Sequence, residues 1–297
     1  MKENTPRFII YAPPYNEDSG GSIVLHKLCH VLNDIGYPAY LYPNQHGTKS
    51  TRLKQFRSLF RKKPYTTFPA YNTPVATRSM LNKDAIVIYP ETDYGNPLGA
   101  HNVVRWLLHK PGFHTGEVKF GENELIYVFD DYCVEPGYNI DPNNKLFVLS
   151  VNPAYHQEGV STTREGSCYM LRKAKGTPLV HDQTHSIPVD GLSHAETAEI
   201  FRKTKYFYCY DEFTLYSQFA ALCGCISVVI PKAFPTRDAW VEKHPISRFG
   251  IAYGTDDIAH AVATQDKVAE YFNNLETESR ETVLRFAQNS RSHFNLK

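Results

Sequence analysis

Arg172, Lys173 and Lys175 crowd together directly after the apolar run that ends at Leu171. Cations at such a position can hold a phosphate-like anion, though many basic turns do nothing but face water. A second cluster stands in YCYDEFTLYSQFAALCGCISVVIP, residues 208 to 231. Tyr210, Asp211, Glu212, Thr214, Tyr216, Ser217 and Gln218 gather there at the mouth of a small-residue helix. Tyr210, Thr214 and Ser217 can hydrogen-bond a phosphate or a sugar, and a helix start offers free N–H groups. Asp211 and Thr214 could equally cap that helix with no ligand, but the polar groups outnumber what a cap requires. Glu91 and Asp93 follow the run AIVIY. A carboxylate there can take a proton from a hydroxyl, bind sugar hydroxyls, or cap a following helix, and Asn96 and Arg105 lie close in sequence. Gly20 and Gly21 follow Asn16, Glu17, Asp18 and Ser19. They allow either close approach of a ligand to backbone or simply a tight turn.

The elements that must position these groups alternate between strand and helix. Phe8–Ala12 is an apolar run bounded by Pro13 and Pro14, which predicts a buried strand. Ile23, Leu25, Leu28, Val31, Leu32 and Ile35 recur at helical spacing up to Gly36, and Ala39–Tyr42 reads as the next strand. Ala85–Tyr89 is a further buried strand, and the spacing predicts a helix over 101–109, closed by Pro111 and Gly112. Leu125–Phe129 and Leu146–Ser150 complete the strands of this half. In the second half Ser167–Arg172, Tyr206–Tyr210 and Ile226–Ile230 read as strands. Ser193 with Glu196 forms a capping box before HAETAEIFRKT, Thr214–Leu222 reads as a helix, and Glu270–Asn289 as a long charged one. These are two β/α regions joined near Asn152–Arg164. In such regions ligands bind at the carboxyl ends of the strands, where the polar clusters fall.

The chain has 297 residues, of which 42% are hydrophobic and 21% charged, enough for packed cores in two domains. The net charge of +1 excludes a globally basic protein built for nucleic acid, and no nucleic-acid partner is expected. Six cysteines form no CxxC pair and no zinc spacing, which points to a reducing, cytoplasmic setting. No signal-like or membrane-spanning apolar run is seen. His26, His30, His181 and His185 pair at helical spacing without a metalloprotease motif, so no metal is expected. Residues 49–63, KSTRLKQFRSLFRKK, hold seven cations, and Leu53, Phe56, Leu59 and Phe60 share one helical face. That stretch can lie on anionic lipid as a peripheral membrane contact, or form a solvated basic loop or lid.

The stretches PPYNEDSGGSIVLHKLCHVLNDIGYPAYLYP, YPETDYGNPLGAHNVVRWLLHKPG, CYMLRKAKG and CYDEFTLYSQFAALCGCISVVIP resemble bacterial and viral glycosyltransferases of the GT-B fold, of the type of group 1 sugar transferases. The likeness runs from Phe8 to Pro231. It implies an α/β fold of two Rossmann-like domains facing a central cleft. The acceptor domain would span 1–155, closed by a C-terminal helix about 278–297 that crosses back to it, and the donor domain 156–277. The implied reaction moves a sugar from a nucleotide-sugar donor to a hydroxyl of a glycan or lipid-linked glycan, without metal or other cofactor and with retention. The resemblance matches Arg172, Lys175 and Asp211 to the donor site and favours Gly20 and Gly21 there, and Tyr210, Thr214 and Ser217 are further donor candidates. Asp18, Asn96 and Arg105 are candidate acceptor contacts, and Glu91, Asp93 and Arg172 candidate catalytic residues. In the family pattern an acid before the helix is followed by a second acid eight positions later. Asp211 keeps the first, whereas Phe219 stands at the second, so Ser217 or Gln218 would have to replace it. The alternatives are a nucleotide-sugar epimerase of the same fold, a non-catalytic nucleotide- or glycan-binding protein and, as a lesser rival, a DNA-modifying transferase.

Overall fold

The structure is a computed structural model and describes residues 6–44, 64–118, 120–121, 123–134, 140–141, 143–174 and 176–296. The chain divides into two units, one of Met1–Ser150 with Glu276–Lys297 and one of Val151–Leu275. The basic stretch 49–63 and Lys175 lie outside the described residues.

The first unit is built on β1 (Phe8–Ala12), α1 (Gly20–Asp34), β2 (Ala39–Pro43), β3 (Ile86–Pro90), β4 (Asn102–Leu107) and β5 (Leu125–Val128). The strands form one parallel sheet in the order β2-β1-β3-β4-β5, with Phe8 opposite both Ala39 and Ile86. All five residues of β1 are buried, as an apolar run covered on both faces must be. Leu25, Leu28, Val31 and Leu32 of α1 enter one core with Phe8 and Ile10, so the helical spacing in the sequence marks the buried face.

Residues 102–107 correct the reading of a helix over 101–109. Every residue from Asn102 to Leu107 is buried, and the segment pairs with β3 through Ile86 and Asn102. The run NVVRWLL fits a buried strand as well as a helical stripe. Its β-branched and aromatic residues decide for the strand. Leu146–Ser150 also differs from expectation. Only an isolated bridge forms there, between Lys145 and Val128, with Val128 N donating to the Asn144 carbonyl and Leu146 N to the Val128 carbonyl, and no strand is formed over 146–150. Leu146 and Val148 nonetheless fill the core.

The second unit carries β6 (Glu165–Met170), β7 (Ser186–Pro188), α2 (His194–Lys203), β8 (Thr204–Cys209), α3 (Tyr216–Leu222), β9 (Ile226–Val229), α4 (Arg237–Lys243), β10 (Ile251–Tyr253) and α5 (Ile258–Ala263). Its parallel sheet runs β10-β9-β8-β6-β7. Counted from its own first strand, this is the order of the first sheet again. In each, the chain leaves the first strand to one side and returns to the other. The carboxyl ends of β1 and β3, and of β6 and β8, therefore flank a topological switch point. The capping box of α2 is formed: Glu196 N donates to Ser193 Oγ at 3.3 Å, and Ser193 N to Glu196 Oε2 at 2.9 Å. Gly224, with φ +86°, closes the turn from α3 to β9, and a Cβ there would stand 2.8 Å from Arg164 Nη2. That guanidinium gathers the carbonyls of Phe201, Thr204 and Cys223.

The long helix α6 (Val268–His293) begins in the second unit and ends in the first. In the first unit Val283, Phe286 and Ala287 join the core of the sheet, with the Phe286 ring 4.8 Å from that of Tyr127. Ser279 Oγ accepts from Leu149 N at 3.0 Å, and Thr282 Oγ1 donates to the Phe147 carbonyl at 2.6 Å.

Candidate functional site

In the second unit β6 delivers Arg172 to the carboxyl edge of the sheet. Its φ is +45°, a left-handed value that a side chain with a Cβ holds only under constraint. The constraint is Asp190. Its two carboxylate oxygens accept from the N–H groups of Leu171 and Arg172, each at 2.7 Å. The guanidinium lies 5.2 Å above the Tyr216 ring and reaches Thr214 Oγ1 at 3.4 Å. It is half-buried, and among the described residues no carboxylate pairs with it. Tyr216 in turn stacks on His194, ring centroids 5.6 Å apart and planes within 6°. His194 Nδ1 shares a hydrogen bond with Tyr155 Oη at 2.6 Å.

Other residues expected to face a ligand are turned inward. The Tyr210 hydroxyl accepts from Val180 N at 2.8 Å and bonds His181 Nδ1 at 2.7 Å. His181 is buried, and loss of solvent lowers its pKa below the usual 6.5. Ser217 is buried beside the Cys209 thiol, which burial pushes up to about 12. Asp211 accepts from Phe213 N at 3.2 Å, a local turn bond. The helix expected from Thr214 starts at Tyr216, with no side-chain cap and only seven residues. Gln218 accepts from Ser247 Oγ at 2.5 Å and donates to the carbonyls of Thr214 and Leu215. Phe219 is buried and stacks on Tyr155, centroids 4.3 Å apart, so an aromatic pair fills the position of the family's second acid.

Glu212, a member of the same polar cluster, anchors the loops. Its carboxylate accepts from the N–H groups of Lys232 and Ala233 and from Tyr253 Oη at 2.6 Å. Burial, and then the neighbouring Glu212, push the Tyr253 phenol up to about 12. Asp190, His194 and Tyr155 escaped the sequence. Asp190 forms its bonds with residues eighteen and nineteen positions earlier, a distance no local pattern reveals.

In the first unit the carboxyl edge carries Glu91 and Asp93, both buried. Glu91 Oε2 accepts from Leu108 N at 3.0 Å, and burial raises the Glu91 pKa above its ordinary value. Asp93 accepts from Asn44 Nδ2 through both oxygens at 3.1 Å. Arg105 corrects its assignment to an acceptor. It is fully buried and pairs with Glu124 through two bonds of 2.8 and 2.7 Å. It also donates to the carbonyls of Pro90, Asp93 and Gly95, so it fastens the loop after β3 rather than meeting solvent. Asn96 is likewise committed: Oδ1 accepts from Tyr89 Oη and Ala100 N, and Nδ2 donates to the Ala100 carbonyl. Asp18 is exposed, with its N–H bonded to Asn16 Oδ1 at 3.0 Å. Gly20 and Gly21 open α1 behind the cap Ser19. A Cβ at Gly20 would meet nothing within 4 Å, and at Gly21 only the Leu108 side chain at 3.8 Å. Local packing therefore does not demand glycine at either.

All six cysteines are free and buried. Among the described residues no three His, Cys, Asp or Glu side chains gather as a metal set, and no helix is long and apolar enough to cross a membrane.

Two parallel five-stranded sheets with helices make this a two-unit α/β protein. No protein-family model matches the chain, and no curated protein matches it. Among solved structures, that of E. coli ADP-heptose LPS heptosyltransferase II is similar over 92% of this chain and 99% of that one. The identity is 11% and the TM-score 0.33.

Proposed function

We propose that the chain is a glycosyltransferase of GT-B type that moves a sugar from a nucleotide-sugar to a hydroxyl of a glycan acceptor. The donor diphosphate docks at the carboxyl edge of the second sheet. The observation that carries this reading is Arg172, a half-buried guanidinium held in a left-handed turn beside Thr214 and Tyr216. A guanidinium with no carboxylate partner among the described residues is matched to an incoming anion. As the glycosidic bond breaks, its electron pair leaves with the nucleoside diphosphate, whose charge grows. A fixed cation stabilises that state more than the ground state. Under retention Glu91 would bind acceptor hydroxyls, whereas an inverting course would have it take the acceptor proton. Metal independence and retention are part of the proposal, as is a glycan or lipid-linked glycan acceptor. Lys175 would add a second cation, and Asp211 and Thr214 hydroxyl contacts.

A panel of nucleotide-sugars, assayed for released nucleoside diphosphate with and without glycan acceptors, tests this. Wild type is expected to release one diphosphate, and Arg172→Ala to be slowed about 100-fold or more. The second reading is a non-catalytic nucleotide binder, favoured by the aromatic Phe219–Tyr155 pair where the family pattern has an acid. Binding of a donor without release of diphosphate under any acceptor would establish it.

A further inference from the structure

We propose that Asp190 is a positioning residue that aims Arg172, acting through the peptide backbone, and that anion affinity depends on Asp190 only through Arg172. This rests on the donor-site reading above. The short strand β7 lies parallel to β6 with Ser167 opposite Ser186 and Tyr169 opposite Pro188. Val189 N donates to the Tyr169 carbonyl at 3.0 Å, which carries the pairing one residue past the strand. Asp190, the residue that follows Val189, therefore stands at the exit of β6. There both carboxylate oxygens take consecutive N–H groups, of Leu171 and Arg172, at 2.7 Å each.

Arg172 is the residue with φ +45°. An L-residue leaves such a conformation unless its surroundings fix it. Two charge-assisted bonds on adjacent amides are such a fixture. A relaxed turn would swing the side chain away from Thr214 Oγ1 and the Tyr216 ring. The arrangement also separates two jobs. A carboxylate bonded to the guanidinium itself would fill the anion's place. Bonded to the peptide, it sets the direction of the guanidinium and leaves its fork open.

The test has two parts, the first free of any ligand. Amide hydrogen exchange of Leu171 and Arg172 is measured by NMR in wild type and Asp190→Ala. Exchange of both is expected to speed at least tenfold, while amides of β8 keep their protection. Unchanged exchange at Leu171 and Arg172 overturns the clamp. The second part is titration calorimetry with inorganic pyrophosphate on wild type, Arg172→Ala, Asp190→Ala and the double variant. Each single change is expected to weaken binding tenfold or more, and the double variant to bind no more weakly than Arg172→Ala. Additive losses, or wild-type affinity in Asp190→Ala, overturn the proposal. Asp190→Asn, which keeps one acceptor oxygen, is expected to fall between wild type and Asp190→Ala in both measurements. Should wild type bind neither pyrophosphate nor any nucleoside diphosphate, the donor-site reading fails, and with it the service of the clamp to an anion. The exchange result would still decide whether the clamp exists.

Discussion

In the first unit Arg105, Asp93 and Glu91 are all engaged by partners inside the fold. Arg105 is locked to Glu124 and three carbonyls, Asp93 holds Asn44, and Glu91 holds the Leu108 amide. In the second unit, built on the same strand order, Asp190 and Glu212 are committed to backbone N–H groups, and among the described residues the Arg172 guanidinium meets a hydroxyl and a ring. One topology thus supports two uses of charge. Where a charge is paired and buried it fixes a loop. Where the pairing runs through the backbone, the side chain beyond it stays available.

The comparison breaks if the two arginines behave alike on substitution. Arg105→Ala removes one partner of a buried pair and strands the Glu124 carboxylate. A loss of about 3–5 kcal/mol in denaturant unfolding is expected. Arg172→Ala, which strands no carboxylate, is expected to cost less than about 1 kcal/mol. Equal losses would remove the distinction drawn between the two edges.

A smaller effect sharpens it. Arg172→Gly and Arg172→Ala lose the same guanidinium, but only glycine accepts φ +45° without strain. The glycine variant is expected to unfold about 1 kcal/mol less readily than the alanine variant. No difference would mean that the turn relaxes once the side chain is gone.

The smallest effect is that of Glu91. Its pKa is raised by burial from an ordinary value of 4.5, so the charged form disfavours the fold. This penalty is fully present above the raised pKa and fades as pH falls toward 4.5. Glu91→Gln keeps an oxygen for the Leu108 amide while removing the charge. Its melting temperature is expected to exceed that of wild type at pH 8, with the gap closing toward pH 4.5. A gap that widens in acid would contradict the burial account.

Much of the fold was legible because its strands are apolar runs cut by proline and glycine. Phe8–Ala12 ends at Pro13, and Ile226–Val229 follows Gly224 and Cys225. The capping box of α2 announces itself through Ser193 and Glu196. Asn102–Leu107 did not, since an apolar run of that length carries both the strand and the helix pattern. Among site residues, Arg172 was visible as a cation after a strand. The inward turn of Tyr210 was not, because it depends on His181 and Val180 arriving from another segment. Arg105 was misjudged for the same reason: its partner Glu124 is brought near by the pairing of β4 with β5. Long-range pairing decides which polar groups are already satisfied, and local spacing carries no record of it.

The central claim is that the edge of the second sheet receives a nucleoside diphosphate through Arg172. The direct measurement is titration calorimetry of UDP, GDP, TDP, CDP and ADP, and of their sugars, into wild type and Arg172→Ala. Binding of one nucleotide series by wild type, weakened at least tenfold by the substitution, is the predicted result. Equal affinity in both proteins, or no binding by wild type at millimolar concentration, would contradict it.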